Sequence, residues 1–400
     1  MSENIELLTP KLTDEIHFNA LSENFFILSN SNDKHYLKIN KKVYDLLQLV
    51  DGKMNLSELS IKFNKIYNSE LEYTEIHFLL YKKLLPYGIL KGYESDVKPY
   101  KKPDYLKLSF VLISEKILNK ITPFFLFLFK KKYAIATLIT LIITYILVIS
   151  YYINLYQTYN IRESFTLFII LMFVSVTFHE IGHATAARFF GAKHGGIGIG
   201  FYLFSPVYYA DVTDIWKLEK TKRIAVNLSG IYFELIFNIL VISIGLALGD
   251  DLLIIIALII AFKTLFNLNP FLRSDGYWVI SDLTNKPNLF YHAKQKVIEV
   301  FNFIFNRKSI QWDLVEKLLF IYGLIIYSFM SLFIYYVLFK NPNSLLYFPQ
   351  NLLLFFKGIF QKDANFDLTL LANLIVPLLF IRLVYFVFIK PIFKTIKAKI

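Results

Sequence analysis

A polytopic α-helical membrane protein with a small α+β domain ahead of it is the fold class that this sequence predicts. Three observations predict it. Hydrophobic residues make up 56% of the 400 positions and the mean hydropathy is +0.48, well above what a soluble chain of this size carries. The apolar residues fall in runs of about twenty, the length a helix needs to cross ~30 Å of hydrocarbon. The first 95 or so residues break that pattern and are polar and mixed. There is no cysteine, which excludes disulfides, thiolate metal sites and a cysteine nucleophile. A net charge of +12 would suit nucleic acid. Here, however, the Lys and Arg lie in the N-terminal region and in loops flanking apolar runs, as in a protein oriented by a bilayer. The lipid bilayer is therefore an expected partner and nucleic acid is not.

Residues 1–95 come first. The opening MSENIELLTPKLTDE has no basic-then-apolar signal pattern, so a cytosolic N-terminus is expected. Asn24-Phe25-Phe26-Ile27-Leu28 and His35-Tyr36-Leu37-Lys38-Ile39 read as two strands joined by the turn residues Ser29 to Asp33, a hairpin. Three helical patterns follow. The first runs about Lys41 to Leu49 and stops at Asp51-Gly52. The second is capped by Asn55 and carries Leu56, Leu59, Phe63 and Ile66 as its apolar face. The third runs about Thr74 to Leu84, with Ile76, Leu79, Leu80 and Leu84 on one side. Tyr87 to Leu90 reads as a closing short strand. A hairpin with three short helices makes a small winged-helix-like domain. On the hairpin, Tyr44-Asp45-Leu46-Leu47 to Asp51-Gly52 and Leu56-Ser57-Glu58-Leu59, residues 20–92 resemble the PqqD-like domains. That resemblance implies a leader peptide of a ribosomally made, modified peptide, added as a strand to the hairpin edge and packed on the third helix. A small cap without a ligand is the alternative.

Residues 96–132 read as a basic, interfacial linker with Lys98, Lys101, Lys102 and Lys107, then Pro123 to Phe129, too short to span, closed by Lys130-Lys131-Lys132. Residues 133–400 form the membrane domain. Six spans are expected, at about 133–153, 167–190, 224–248, 252–271, 314–339 and 368–389. Lys and Arg crowd the loops before the first span, between the second and third, between the fourth and fifth, and after the sixth. This places both termini in the cytosol, in a multi-pass protein of the plasma membrane. The 340–367 segment would then lie outside, with 347–360 resting on the membrane.

Inside the second span stands Phe178-His179-Glu180-Ile181-Gly182-His183. On a helix His179 and His183 project from one face, one turn apart. That spacing lets two imidazoles grip one Zn²⁺, with Glu180 beside the metal to take a proton from an attacking water. Two His and a Glu in hydrocarbon are costly without a task; the alternative is a polar patch satisfied between packed helices. Catalytic zinc takes three protein ligands and keeps one position open. His194, eleven residues past His183, is too close for another helix and too far for a simple turn, and Glu219 falls in a basic loop. Asp275 is the better third ligand. The second and fourth spans run in the same direction. His179 lies about twelve residues, or ~18 Å, into its span, and Asp275 follows the end of the fourth. Pro270 breaks the helix there, and Gly276 permits a backbone shape that other residues resist. The alternative is an ordinary Asp-Gly turn.

HEIGH in one span, followed about ninety residues later by Asn269-Pro270-x-x-x-x-Asp275-Gly276 at the end of another, resembles the site-2 protease family of intramembrane zinc proteases. The resemblance covers about 165–285. It implies that His179, His183 and Asp275 hold zinc, that Glu180 is the general base, and that Asn269 places the substrate or polarises its carbonyl. The longer block NLNPFLRSDGYWVISDLTNKPNL is more similar to the peptide-maturation branch, to which epipeptide-processing membrane proteases belong. Two features depart from the site-2 pattern. Gly230-Ile231-Tyr232-Phe233-Glu234 stands where Gly-Pro-x-x-Asn is usual, and there is no PDZ-like insertion.

Asn227, Glu234 and Asn238 form one polar stripe on the third span, which should face the site or another helix rather than lipid. Glu234 could pair with Lys263 of the fourth span or be protonated, and a structural pairing is expected ahead of a catalytic role. The loop GGIGIGFYLFSPVYYAD (195–211) can form short strands over Phe201–Phe204 and Val207–Tyr209. Backbone of that kind survives at membrane depth only when buried or lining a cavity. Gly198, Gly200, Phe201 and Phe204 are the substrate-binding candidates, because an extended peptide could add there strand by strand; an ordinary interfacial hairpin is the alternative. The function expected is that of a zinc metalloendopeptidase cutting a ribosomally made, modified peptide precursor during maturation, with an exporter in the same pathway as a further partner. The alternatives are a regulatory protease of a membrane-anchored signalling protein and a non-catalytic receptor or exporter partner.

Overall fold

A computed structural model describes residues 5–30, 32, 34–99, 107–152, 165–202, 205–306, 311–359, 368–385 and 389. The chain divides into two compact units, one of residues 1–104, 109–199 and 208–287, the other of residues 105–108, 200–207 and 288–400.

The first unit begins with an antiparallel sheet in the order β1-β2-β3, where β1 is Ile16–Ser22, β2 is Phe25–Asn30 and β3 is His35–Asn40. The hairpin read from the sequence is β2–β3, in the register Phe25↔Asn40 and Leu28↔Leu37. Strand β1 is an addition, paired Ile16↔Asn30 through Ser22↔Phe25 with an irregularity between Ala20 and Ser22. The closing strand expected near Tyr87–Leu90 is reduced to one bridge, Leu12↔Leu90. Helix α1 (Lys41–Gln48) starts where the Asn40 side chain accepts the Val43 N–H. Helix α2 (Leu56–Tyr67) has a reciprocal cap, in which Asn55 accepts from the Glu58 N–H and Glu58 accepts from the Asn55 N–H. Such a cap contributes about 1 kcal/mol. Helix α3 (Tyr73–His77) runs on as a wider π turn through Leu84, so that Ile76, Leu80 and Leu84 line up in the core with Leu28, Leu46, Leu47, Leu56 and Leu59. Ile66, read as part of the α2 core face, is instead 55% exposed.

Within 96–132 the described residues from 107 on form a strand and a helix. Strand β4 (Lys107–Ile113) is followed by α4 (Glu115–Phe125) and a 3-10 turn through Phe129. Pro123 cannot donate to the Asn119 carbonyl one turn earlier, and Arg188 Nη1 donates to that carbonyl instead, at 2.9 Å. β4 forms a second three-stranded sheet, in the order β4-β5-β6, with β5 (Ile197–Tyr202) and β6 (Ser205–Ala210).

Four long apolar helices follow in this unit: α5 (Lys131–Tyr152), α6 (Phe165–Phe189), α7 (Lys220–Leu248) and α8 (Asp251–Leu265, extended by a 3-10 turn to Leu268). All are long and apolar enough to cross a membrane. Helix α9 (Asp275–Thr284) closes the unit. The α7–α9 junction is ionic and buried. Arg223, 1% exposed, donates through Nε to Asp282 Oδ1 at 2.7 Å, and Asn227 Nδ2 donates to Asp282 Oδ2 at 3.0 Å. Removing one member of a buried pair strands the other. Asp282→Ala is therefore expected to lower stability by about 3–5 kcal/mol, read as a large fall in melting temperature in detergent.

The N-terminal sheet docks on the segment after β6. Lys34 pairs with Asp211 at 2.6 Å, Tyr36 Oη donates to Asp214 at 2.9 Å, Lys193 Nζ donates to Asn32 at 3.1 Å, and Asn19 donates to the Leu218 carbonyl. Burial works to raise the Asp211 pKa. The Lys34 ammonium and the Thr213 hydroxyl and N–H outweigh it, and the carboxyl lies below its ordinary 3.8. A lowered folded pKa means that the contribution is complete above the unfolded value and is lost as pH falls through the folded one. The contact should hold at neutral pH and release only below about pH 4. A partly exposed pair of this kind is worth up to about 1 kcal/mol. Lys34→Ala is expected to speed amide hydrogen exchange across 195–213 at neutral pH without changing the helices.

The second unit holds α10 (Leu289–Asn306), α11 (Leu314–Tyr335, continued as a π turn to Lys340), α12 (Pro342–Leu346), α13 (Phe348–Ile359) and α14 (Leu368–Val384), together with the described parts of 105–108 and 200–207. Lys296 joins α10 to α11 through Glu299 at 2.9 Å and Glu316 at 2.7 Å. Helix α11 with its π turn is the fifth described helix long and apolar enough to cross a membrane. The sixth span read from the sequence, 368–389, corresponds to the shorter α14, with 386–388 outside the described residues.

Candidate metal centre

Helix α6 carries His179 and His183 four positions apart, and both are buried. Each ring is held from behind. His183 Nδ1 lies 2.8 Å from the Val226 carbonyl oxygen, and His179 Nδ1 lies 3.0 Å from Glu234 Oε2. A peptide carbonyl only accepts, so His183 donates through Nδ1. Glu234 also accepts from Ser175 Oγ at 3.1 Å and Lys263 Nζ at 3.2 Å, so His179 donates through Nδ1 as well. Neutral imidazoles held this way turn their Nε2 lone pairs to the same point.

Asp275 meets them there. Its Oδ2 is 3.0 Å from His179 Nε2, its Oδ1 is 3.4 Å from His183 Nε2, and the two Nε2 atoms are 3.1 Å apart. Two lone pairs and a carboxylate repel one another at these distances unless a cation lies among them. Zn²⁺ at its usual 2.0–2.1 Å from N and O ligands would give tetrahedral edges of about 3.3 Å. The buried Asp275 Oδ2 makes no hydrogen bond. His179, His183 and Asp275 are the group among the described residues able to hold a metal ion, and they fit zinc.

The chain between α8 and α9 brings Asp275 in. After the 3-10 turn through Leu268, Asn269 is extended, and its Oδ1 accepts from the Phe271 N–H at 2.9 Å while Ser274 Oγ donates to its carbonyl at 2.6 Å. Asp275 then opens α9, where the helix N-terminus favours an acidic residue. Gly276 acts differently from the expectation. Its φ is not positive. It is small because a Cβ would run into the Leu268 backbone, which passes directly against it.

Glu180 is buried beside the two His, and the backbone of Ala210 at the end of β6 faces its carboxylate. Asn269 keeps its side-chain oxygen in the turn, where it accepts from the Phe271 N–H. Gly198 is packed, since a Cβ there would meet the Phe110 carbonyl and the Tyr209 ring, so its small size serves the sheet. Gly200 is buried, Phe201 is 40% exposed, and Phe204 lies outside the described residues. His194 is buried away from the group, with Nδ1 3.0 Å from the Gly195 carbonyl.

Two further contributors lie outside the site residues read from the sequence. The Val226 carbonyl is backbone. Gly230 on α7 lies against the centre, where a Cβ would be driven into both Nε2 atoms. Its trace in the sequence is its place at the head of the Gly230-Ile231-Tyr232-Phe233-Glu234 stretch, four residues before Glu234.

No protein-family model matches the chain, and no solved structure matches it at a significant level. A Bacillus subtilis (strain 168) protein named "Putative peptide zinc metalloprotease protein YydH" is 26% identical to it over 204 residues, 48% of this chain and 79% of that protein. That protein's name describes a zinc metalloprotease acting on peptides, in keeping with a metal-binding group of two His and one Asp in this chain.

Proposed function

We propose that this protein is a membrane-embedded zinc metalloendopeptidase that trims a ribosomally made, modified peptide precursor before its export. The observation that carries the reading is the convergence of His179 Nε2, His183 Nε2 and Asp275 on one point beside the buried Glu180. Zinc held by the three would supply Lewis acidity to a peptide carbonyl and to the attacking water. Glu180 takes the proton from that water as the C–O bond forms and gives it to the amide nitrogen as the C–N bond breaks. Asn269 Nδ2 orients the carbonyl, and the backbone of β6 at Ala210, beside Glu180, holds the substrate extended. Among the described residues β3 stands at an edge of the N-terminal sheet, where a leader strand would add in the manner of PqqD-like domains. The Lys and Arg distribution supports a site on the cytosolic side of the plasma membrane.

The test is co-expression with a candidate small precursor peptide, followed by mass spectrometry and by zinc analysis of the purified protein. The expected outcome is one zinc per chain and a shortened peptide, lost on chelation and recovered with zinc. A zinc-loaded protein that leaves the peptide whole would redirect the reading to a membrane-anchored substrate.

A further inference from the structure

We infer that Glu234 and Lys263 form a charge-compensated clamp on His179 that sets the strength of zinc binding. The inference rests on the metal-centre reading and adds positioning residues to it. Glu234 lies in the middle of α7 with 0% exposure, and its carboxylate collects three donors from two other helices. Ser175 and His179 come from successive turns of α6, and Lys263 comes from α8. A pair serving only to pack α7 on α8 would need the Lys263 contact alone. Here Oε1 takes Lys263 and Ser175, and Oε2 is left to the imidazole.

The two His ligands are held unequally. His183 leans on a neutral peptide carbonyl and His179 on a carboxylate. A carboxylate behind an imidazole fixes its tautomer and makes the opposite nitrogen a stronger donor to a metal, and losing such a partner weakens metal affinity by roughly 10–100-fold. A carboxylate buried in a membrane helix is costly unless paired. Lys263 meets that cost from the neighbouring span, with about a third of its side chain exposed. The centre therefore gains a negatively charged outer partner without an uncompensated charge in the bilayer.

The experiment uses the full chain in detergent, reading the zinc dissociation constant by chelator competition, the visible spectrum of the cobalt-substituted centre, and the melting temperature of the metal-free protein. Glu234→Gln with Lys263→Met removes both charges together and keeps an oxygen acceptor at position 234. Glu234→Asp keeps both charges but draws the carboxylate back from Nδ1. Each is expected to melt close to wild type, bind zinc about 10–100-fold more weakly and shift the cobalt bands. Zinc affinity and cobalt bands unchanged in a folded variant of either kind would overturn the clamp and leave the metal centre standing. A wild-type protein that takes up neither metal would overturn both.

Discussion

Exchange of Glu180 for glutamine is expected to stop peptide cleavage while zinc stays bound. Glu180 lies between the two His ligands in sequence and is buried with them, yet the three atoms that converge belong to His179, His183 and Asp275. Glutamine has nearly the same shape, so the ligands should keep their places. It cannot take a proton from water. A general base contributes about 10²–10⁴-fold to a rate, and a loss of about 10³-fold corresponds to about 4 kcal/mol of barrier. The neutral side chain also removes a carboxylate from a membrane helix, so the melting temperature should hold or rise. Zinc content, melting temperature and peptide mass measured together make the result decisive. Full zinc with cleavage within tenfold of wild type would mean that another group moves the proton. Lost zinc would make Glu180 a ligand or a structural prop.

What the sequence makes legible follows from how local each signal is. The pair His179 and His183 is fixed by helix geometry four residues apart, and the reciprocal cap of Asn55 and Glu58 by the same short range. Asp275 is long-range but still readable, because Pro270 and the shared direction of two spans confine where it can go. The Glu234–Lys263 pairing is legible because two charges in neighbouring apolar helices have few other options. The strands β1 and β4 stay hidden. β4 pairs with β5, some ninety residues away, and its apolar run is as compatible with a membrane-surface segment as with a strand. Docking of Lys34 on Asp211 and Tyr36 on Asp214 joins surfaces about 180 residues apart through common polar side chains. Gly276 illustrates a subtler limit, since a glycine that yields space to a passing backbone reads the same as one that bends its own.

Gly230→Ala is expected to abolish metal binding while the helices remain folded. The alanine methyl would project from α7 into both Nε2 atoms and against His179 Cδ2. The two rings would have to turn or withdraw, and their Nε2 atoms would leave the positions from which they converge with Asp275, whereas zinc needs each nitrogen at 2.0–2.1 Å. Affinity should fall by well over the roughly 10–100-fold that an outer partner commands. The effect on folding has opposed parts. Alanine favours a helix over glycine by about 1 kcal/mol, and crowding α7 against α6 costs about 1–3 kcal/mol. The net change is small or modestly destabilising. Gly182→Ala supplies the contrast. Its methyl would meet the Ser229 carbonyl and the Phe233 side chain, away from the ligand nitrogens, so it should spread the same two helices while keeping more of the metal. Cobalt titration and melting of the two variants separate crowding from displacement. If Gly230→Ala kept wild-type affinity, the two rings would have to yield to the methyl without losing their convergence with Asp275, which approaches both nitrogens at 3.0–3.4 Å.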